Sequence, residues 1–384
     1  MFPITRLRTP IIIFGMNTVS LIAEEVRKLG GQNVFIVTDQ GVVQAGLLEK
    51  ILEPLKKEKI GFGVFDQVEA EPPIENLLAA TQKARASQVD LFIGLGGGSV
   101  LDTTKMAAVL KVHDFDIREL FGVDKVTKPG LPTIMLPTTS GTGSEVTRNA
   151  VFTDKTENLK KVVSSQAIVP TVAIVDPMLT VTMPPHITAA TGIDAFIHAV
   201  ESYIAVNASP LTDPLAWEAT RLIAENLGPA VANGQDLVAR YNMSLGSLMA
   251  GITLNNAGVG AVHALAYPVG AEYHVPHGIA NVVTFIPTME YISMARIPKF
   301  VKLAVAMGEP DAGLSPREAV KRGLQAMGDL IEKVGLPRRL RDIGATADKI
   351  PSMAQAAFKE KRLLGNTPRQ LTEEDIRKIY EASF

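Results

Sequence analysis

Apolar runs that end in turn residues alternate with segments of helical period through the first half of the chain. Asn33 to Asp39 (NVFIVTD) is a buried-type strand closed by a turn. Ser20 to Leu29 precedes it with helical spacing and stops at Gly30-Gly31. GLLEKILEPLKKEKI predicts a helix and GFGVFD the next strand. Ile74 to Ser87 reads as helix, DLFIGLGGGS as strand running into glycine, and Val100 to Val112 as the following helix. LPTIMLPTTSGTGSE repeats strand then loop, and TVAIVDP, Thr171 to Pro177, adds a strand. This order predicts a mostly parallel sheet covered by helices. The pattern changes at Pro184-Pro185. Beyond it no strand is expected, only Ala-, Leu- and Met-rich helical segments with stops at Gly228, Gly234, Gly308 and Pro337. The expectation is an α/β domain over 1–183 and an all-α domain over 184–384, joined by a tight proline hinge.

A chain of 384 residues is too long for one ordinary core, which agrees with two domains. The net charge of -2 gives no reason to expect nucleic acid as a partner. There is no cysteine, which removes disulfides, thiolate nucleophiles and Cys-ligated zinc and fits a reducing compartment. The first residues carry only a short apolar patch, and Leu245 to Ala266 is broken by Asn255, Asn256 and His263. A cytoplasmic protein without membrane spans is therefore expected.

Four residues of the middle third carry the candidate chemistry. Asp194 and His198 lie four apart in TGIDAFIHAVES, on one face of a helix expected over Ala189 to Tyr203. His263 lies in an Ala/Leu-rich segment expected to stop at Pro268 and Gly270, and His277 follows Pro276, where another helix can begin. One carboxylate and three imidazoles form a reasonable shell for a divalent transition metal. Four unrelated buried polar residues are the alternative. All four sit in strongly apolar sequence, and burying them without partners is costly.

Three loops of the first domain fit a nucleotide. Gly96-Gly97-Gly98-Ser99 follows a strand and opens a helix, so the backbone can approach a pyrophosphate at a helix N-terminus; a plain tight turn is the alternative. Asp102, one turn on, either caps N–H groups or bonds a sugar. Thr138 to Glu145 (TTSGTGSE) offers hydroxyls and flexible backbone for phosphate, ribose or carboxamide, or is a solvated loop. Asp39 ends a strand, where a carboxylate bonds ribose hydroxyls and favours NAD over NADP, or merely forms a turn. A dinucleotide together with a metal points to hydride transfer on an alcohol, from an alkoxide stabilised by the metal.

With these residues in view, the chain resembles the iron-containing (group III) alcohol dehydrogenases, whose members include lactaldehyde reductase. The match runs from about Arg8 to Phe384 and is carried by VTD at 37–39, LGGGSVLDTTK at 95–105, LPTTSGTGSEVT at 136–147, ATGIDAFIHAVE at 190–201, NNAGVGAVHALA at 255–266 and VPHGIAN at 275–281. The resemblance implies a dehydroquinate synthase-like fold. It implies Asp194, His198, His263 and His277 as ligands of Fe²⁺ or, alternatively, Zn²⁺. Around NAD(H) it implies Asp39, Gly97, Gly98, Ser99, Asp102, Thr138, Thr139, Thr142, Thr147, Lys160 and Leu179, with Lys161 close to Lys160 in register. It implies a small alcohol or aldehyde as substrate and a homodimer.

One departure stands out. Many relatives carry a second histidine four residues after the third ligand, where this chain has Tyr267. Tyr267, a water and ribose relay, or His274 are the candidates for proton transfer. A non-redox lyase related to dehydroquinate synthase is the alternative function. For the substrate pocket, Ala250 to Asn256 and Phe152 are candidates.

Overall fold

The computed structural model describes residues 5–156, 159–310 and 312–384. It divides into two compact units, and the division falls between Met183 and Pro184. Residues 5–8 group with the second unit, because the Arg8 N–H donates to Asn256 Oδ1 at 2.8 Å and its carbonyl accepts from the amides of Asn255 and Asn256, both at 3.0 Å.

The first unit holds a six-stranded, wholly parallel sheet and a small three-stranded one. In chain order the strands are β1 (Ile11–Phe14), β2 (Asn33–Val37), β3 (Gly61–Phe65), β4 (Leu91–Gly96), β5 (Gly122–Val123), β6 (Thr133–Pro137), β7 (Asn149–Asp154), β8 (Leu159–Ser164) and β9 (Val172–Val175). The large sheet runs β1-β9-β6-β4-β2-β3. Its central strands are apolar on both faces; β4 is buried along its whole length. Phe35, Phe92 and the helix Gly98–Val112 fill one side of the sheet, while Val34, Ile36, Ile93 and Ile51 fill the other.

The expected strands β2, β3, β4, β6 and β9 are all present. The antiparallel pair β7–β8 was not anticipated. Its first strand carries Ala150, Phe152 and Asp154 as the inward set. A buried aspartate in that set hides the alternation; here it is accommodated by Lys161 Nζ at 3.0 Å and Thr156 Oγ1 at 2.6 Å. Phe152 is a buried core residue of this unit.

The second unit is helical, with no strand among its described residues. The helices Pro185–Ile204, Asp213–Ala232 and Leu237–Asn256 pack together through small residues such as Ala199, Ala219 and Ala250. Helix Ala261–Tyr273 does not stop at Pro268 as its sequence suggests but continues through it, and ends at His274 in the left-handed region with φ 52°. Gly228 likewise lies inside a helix, where an added Cβ would meet Lys333 Cε at 3.0 Å. In both cases tertiary packing outweighs local propensity. No helix of the described residues is long and apolar enough to cross a membrane.

Candidate functional site

In the helical unit, three helices deliver the candidate ligands. Helix Pro185–Ile204 carries Asp194 and His198, helix Ala261–Tyr273 carries His263, and helix His277–Ser293 begins with His277. Helix Pro185–Ile204 starts on the second member of the proline pair, which at the first helical position lacks only an N–H that no helical partner would have used. One ligand atom each from Asp194, His263 and His277 lie within 4.8 Å of one another. His198 adjoins this group: its Nε2 is 3.9 Å from Asp194 Oδ2, and its ring stacks on that of His263 with centroids 4.9 Å apart. Gly278 lets the last helix approach this closely, since a Cβ there would sit 2.3 Å from the Ala190 carbonyl oxygen.

The donor set fits a divalent cation. Asp194, His198 and His263 are buried and His277 half-buried. At the centre of the cluster is the Asn281 amide, whose Nδ2 is 2.8 Å from Asp194 Oδ1, 3.2 Å from His277 Nε2 and 3.4 Å from His263 Nε2. A carboxylate oxygen and two ring nitrogens thus converge on a single N–H₂ group, and these are the atom types that a divalent cation takes as ligands. Burial works to raise the Asp194 carboxyl. The imidazoles of His198, His277 and His263 and the Asn281 bond outweigh it, and the group is held below the usual carboxylate range.

Asn281 and Glu201 were not singled out in the sequence, although the spacing pointed to both. Asn281 lies four residues after His277. Glu201 lies seven after Asp194, the same face of the same helix. Its Oε2 is 2.5 Å from His263 Nδ1, and its Oε1 accepts the backbone N–H groups of Gly260 at 3.1 Å and Val262 at 2.9 Å.

Tyr267 is half-buried, one turn after His263, with its ring centroid 6.1 Å from that of His277. Burial pushes its hydroxyl up to about 12, further raised by Glu360, Glu201 and Asp194 and opposed by Arg362. His274 is exposed at the left-handed end of its helix.

In the α/β unit the candidate nucleotide residues follow the carboxyl ends of four adjacent strands: Asp39 after β2, Gly97 after β4, Thr138 after β6 and Leu179 after β9. The chain runs from β2 outward to β3, then returns to β4 on the other side of β2 and proceeds to β6 and β9. The carboxyl ends of β2 and β4 are therefore the switch point at which such sheets bind ligands. Gly97 caps the helix that Gly98 and Ser99 begin. A Cβ on Gly98 would lie 2.7 Å from Thr142 Cγ2, so the glycine turn and the hydroxyl loop are in close packing. Thr139 lies against Gly97, and the Thr138 N–H donates to the Gly96 carbonyl at 3.0 Å. Asp39 caps the helix Gln40–Gln44 through the Val42 N–H at 2.9 Å.

Asp102 is engaged within the protein. Its Oδ1 accepts from Ser144 Oγ at 2.5 Å and pairs with Lys105 Nζ at 3.1 Å, and its Oδ2 accepts from the Val151 N–H at 2.9 Å. Lys105 is fully buried and also bonds the Asn149 carbonyl at 2.5 Å, so this pair anchors the loop that carries Thr142 and buried Thr147. Burial pushes the neighbouring Glu145 carboxyl up to about 7. Leu179 has a fully buried side chain, which leaves only its backbone for a ligand. Lys160 Nζ pairs with Glu71 Oε1 at 2.6 Å, while Lys161 is the partner of Asp154.

Comparison with known proteins agrees with this geometry. Residues 9–177 match the model of the iron-containing alcohol dehydrogenases, and residues 188–384 match the C-terminal model of the Fe-containing alcohol dehydrogenase family. The chain is 43% identical over 378 residues to long-chain-alcohol dehydrogenase 1 of Geobacillus thermodenitrificans (strain NG80-2), covering 98% of this chain and 95% of that one. It is 36% identical over 373 residues to lactaldehyde reductase of Escherichia coli (strain K12), covering 97% of each. Among solved structures, a 1,3-propanediol oxidoreductase superposes with a TM-score of 0.96 at 38% identity over the whole of both chains. Sulfoacetaldehyde reductase from Bifidobacterium kashiwanohense, solved in complex with NAD+, gives 0.89 at 27% identity over 99% of this chain and 98% of that one. These relatives oxidise alcohols or reduce aldehydes, which supports redox chemistry over the lyase alternative. With a parallel-sheet unit, a helical unit that gathers Asp194, His263 and His277 with His198 beside them, and family matches over nearly its full length, the chain belongs to the iron-containing alcohol dehydrogenase family.

Proposed function

We propose that the protein interconverts a small alcohol and its aldehyde or ketone by hydride exchange with NAD(H). Asp194, His198, His263 and His277 hold the divalent metal, Fe²⁺ by the family's name, with Zn²⁺ the competing ion. The convergence of Asp194, His263 and His277 on one point, with His198 beside it, is the observation that carries this reading. When bound, the ion supplies Lewis acidity toward the substrate oxygen.

The remaining work falls to the chain's own groups. Gly97, Gly98 and Ser99 present the free N–H groups of a helix start to a pyrophosphate, and Thr138, Thr139, Thr142 and Thr147 border it. Asp39 bonds the ribose and disfavours a 2′-phosphate, and Lys160 reaches the nucleotide from β8. Tyr267, held protonated well above neutral pH, donates a hydrogen bond and takes no proton. The names of the lactaldehyde and 1,3-propanediol relatives support a short substrate. The absence of cysteine supports a cytoplasmic location, and the edge strand β1, which among the described residues pairs with β9 alone and exposes Ile11, supports a homodimer.

The test is NADH oxidation by anaerobically purified protein against short aldehydes and hydroxyaldehydes, after EDTA stripping and reloading with Fe²⁺, Zn²⁺, Ni²⁺ or Mn²⁺. Stripping should abolish turnover and at least one ion should restore it. NADH binding without turnover under any ion would overturn the proposal.

A further inference from the structure

We propose that Glu201 is a positioning residue of the metal centre, setting both the ring of His263 and the start of the helix that carries it. The inference rests on reading Asp194, His198, His263 and His277 as the metal shell.

The Glu201 carboxylate accepts at Oε2 from His263 Nδ1, 2.5 Å away. A neutral imidazole carries one proton, and an acceptor at Nδ1 keeps it there. The lone pair of Nε2 is then turned toward the cluster, where the Asn281 amide lies 3.4 Å from it and 2.8 Å from Asp194 Oδ1. The opposite tautomer would set an Nε2–H against the amide N–H₂, donor against donor. Carboxylate, histidine and metal in this order form the arrangement that fixes tautomer and ring orientation in many metal sites.

The other oxygen serves the backbone. Helix Ala261–Tyr273 begins after Gly260, which has no side chain to cap it. Oε1 of Glu201 accepts the N–H groups of Gly260 and Val262 at 3.1 and 2.9 Å, so the cap comes from a neighbouring helix. A self-capping residue at position 260 has no room, since its Cβ would lie 2.9 Å from Thr367 Oγ1 and 3.3 Å from Glu201 Oε1. Glu201 itself is set by the helix that presents Asp194 and His198. One carboxylate therefore holds two of the ligand-bearing helices in register.

Glu201→Gln separates this role from simple support. The amide keeps the size, but one of its two ends donates. If its oxygen faces His263, the N–H₂ opposes the Gly260 and Val262 N–H groups. If it is reversed, the N–H₂ drives the His263 proton to Nε2 and blocks that ligand. The measurement is Co²⁺ affinity by chelator competition, together with the visible d–d spectrum of the Co²⁺-loaded protein and the NADH Kd by fluorescence. Glu201→Gln should bind Co²⁺ about 10- to 100-fold more weakly, with an altered spectrum and unchanged NADH affinity.

Wild-type affinity and spectrum in the variant, whatever its melting temperature, would overturn the assignment. Failure of the wild-type protein itself to bind Co²⁺ would instead overturn the underlying metal reading. Should the variant not fold, ¹⁵N-histidine spectra of the metal-free wild-type protein decide the matter. A His263 protonated at Nδ1 supports the assignment, and one protonated at Nε2 overturns it.

Discussion

In the proposed function, the two units of this protein hold their ligands by different means. In the helical unit, side chains do the holding: Asp194, His198, His263 and His277 come from three helices, with Asn281 and Glu201 bonded among them. In the α/β unit, backbone does most of it: a helix start at Gly97–Ser99, four strand ends on one edge of a parallel sheet, and a hydroxyl loop pressed against Gly98. A side-chain site fails when an atom is removed. A backbone site tolerates removal and fails when an atom is added.

The largest effect should follow from Asp194→Ala. It deletes the only carboxylate among the four proposed ligands, so metal affinity measured by chelator competition should fall by more than the ~100-fold typical of outer-shell changes. NADH affinity by fluorescence should stay at the wild-type value. Loss of both together would show that the two sites are not built independently.

Gly98→Ala should act in the opposite sense. The new methyl would stand 2.7 Å from Thr142 Cγ2 and 3.1 Å from its Cβ, so the loop must move. Overpacking of this kind costs about 1–3 kcal/mol, roughly 5- to 150-fold in NADH Kd if it falls wholly on binding. Metal affinity should be unchanged, and adding Thr142→Ala should recover part of the loss. An unimpaired NADH Kd in the single variant would remove Gly98 from the nucleotide site.

The smallest effect is expected at Tyr267. Its hydroxyl is pushed up to about 12 by burial, so it stays protonated across the pH 6–9 range. Tyr267→Phe should leave the shape of the kcat–pH profile unchanged and cost well under the ~10²-fold that loss of an acid–base group brings. Disappearance of a limb of the profile would assign the proton to Tyr267 and leave water, ribose or His274 out of the relay.

Much of this was legible in the chain because its signals are local. Strands β2, β4, β6 and β9 are apolar runs ended by turn residues, and the four-residue spacing of Asp194 and His198 fixes a shared helical face wherever a helix forms. The grouping of His263 and His277 with that pair was one of two readings the residue types left open, and the resemblance to a known family chose between them, which spacing could not do. The misses have local causes as well. The hairpin β7–β8 buries Asp154, and a charged residue in the inward set looks like a solvent-facing one until Lys161 is placed beside it. Pro268 and Gly228 are breakers by propensity, yet both lie inside helices.

The sequence by itself determined the elements, their order and the residue types able to bind a metal or a nucleotide, since these depend on neighbours within a few positions. Only the tertiary structure decided which of them meet. It engaged Asp102 with Ser144, Val151 and Lys105 inside the protein, placed the Asn281 amide among three ligand atoms, and brought Glu201 across 62 residues to the ring of His263. Buried polar groups must find partners wherever the packing brings them, and the spacing along the chain carries no record of who those partners are.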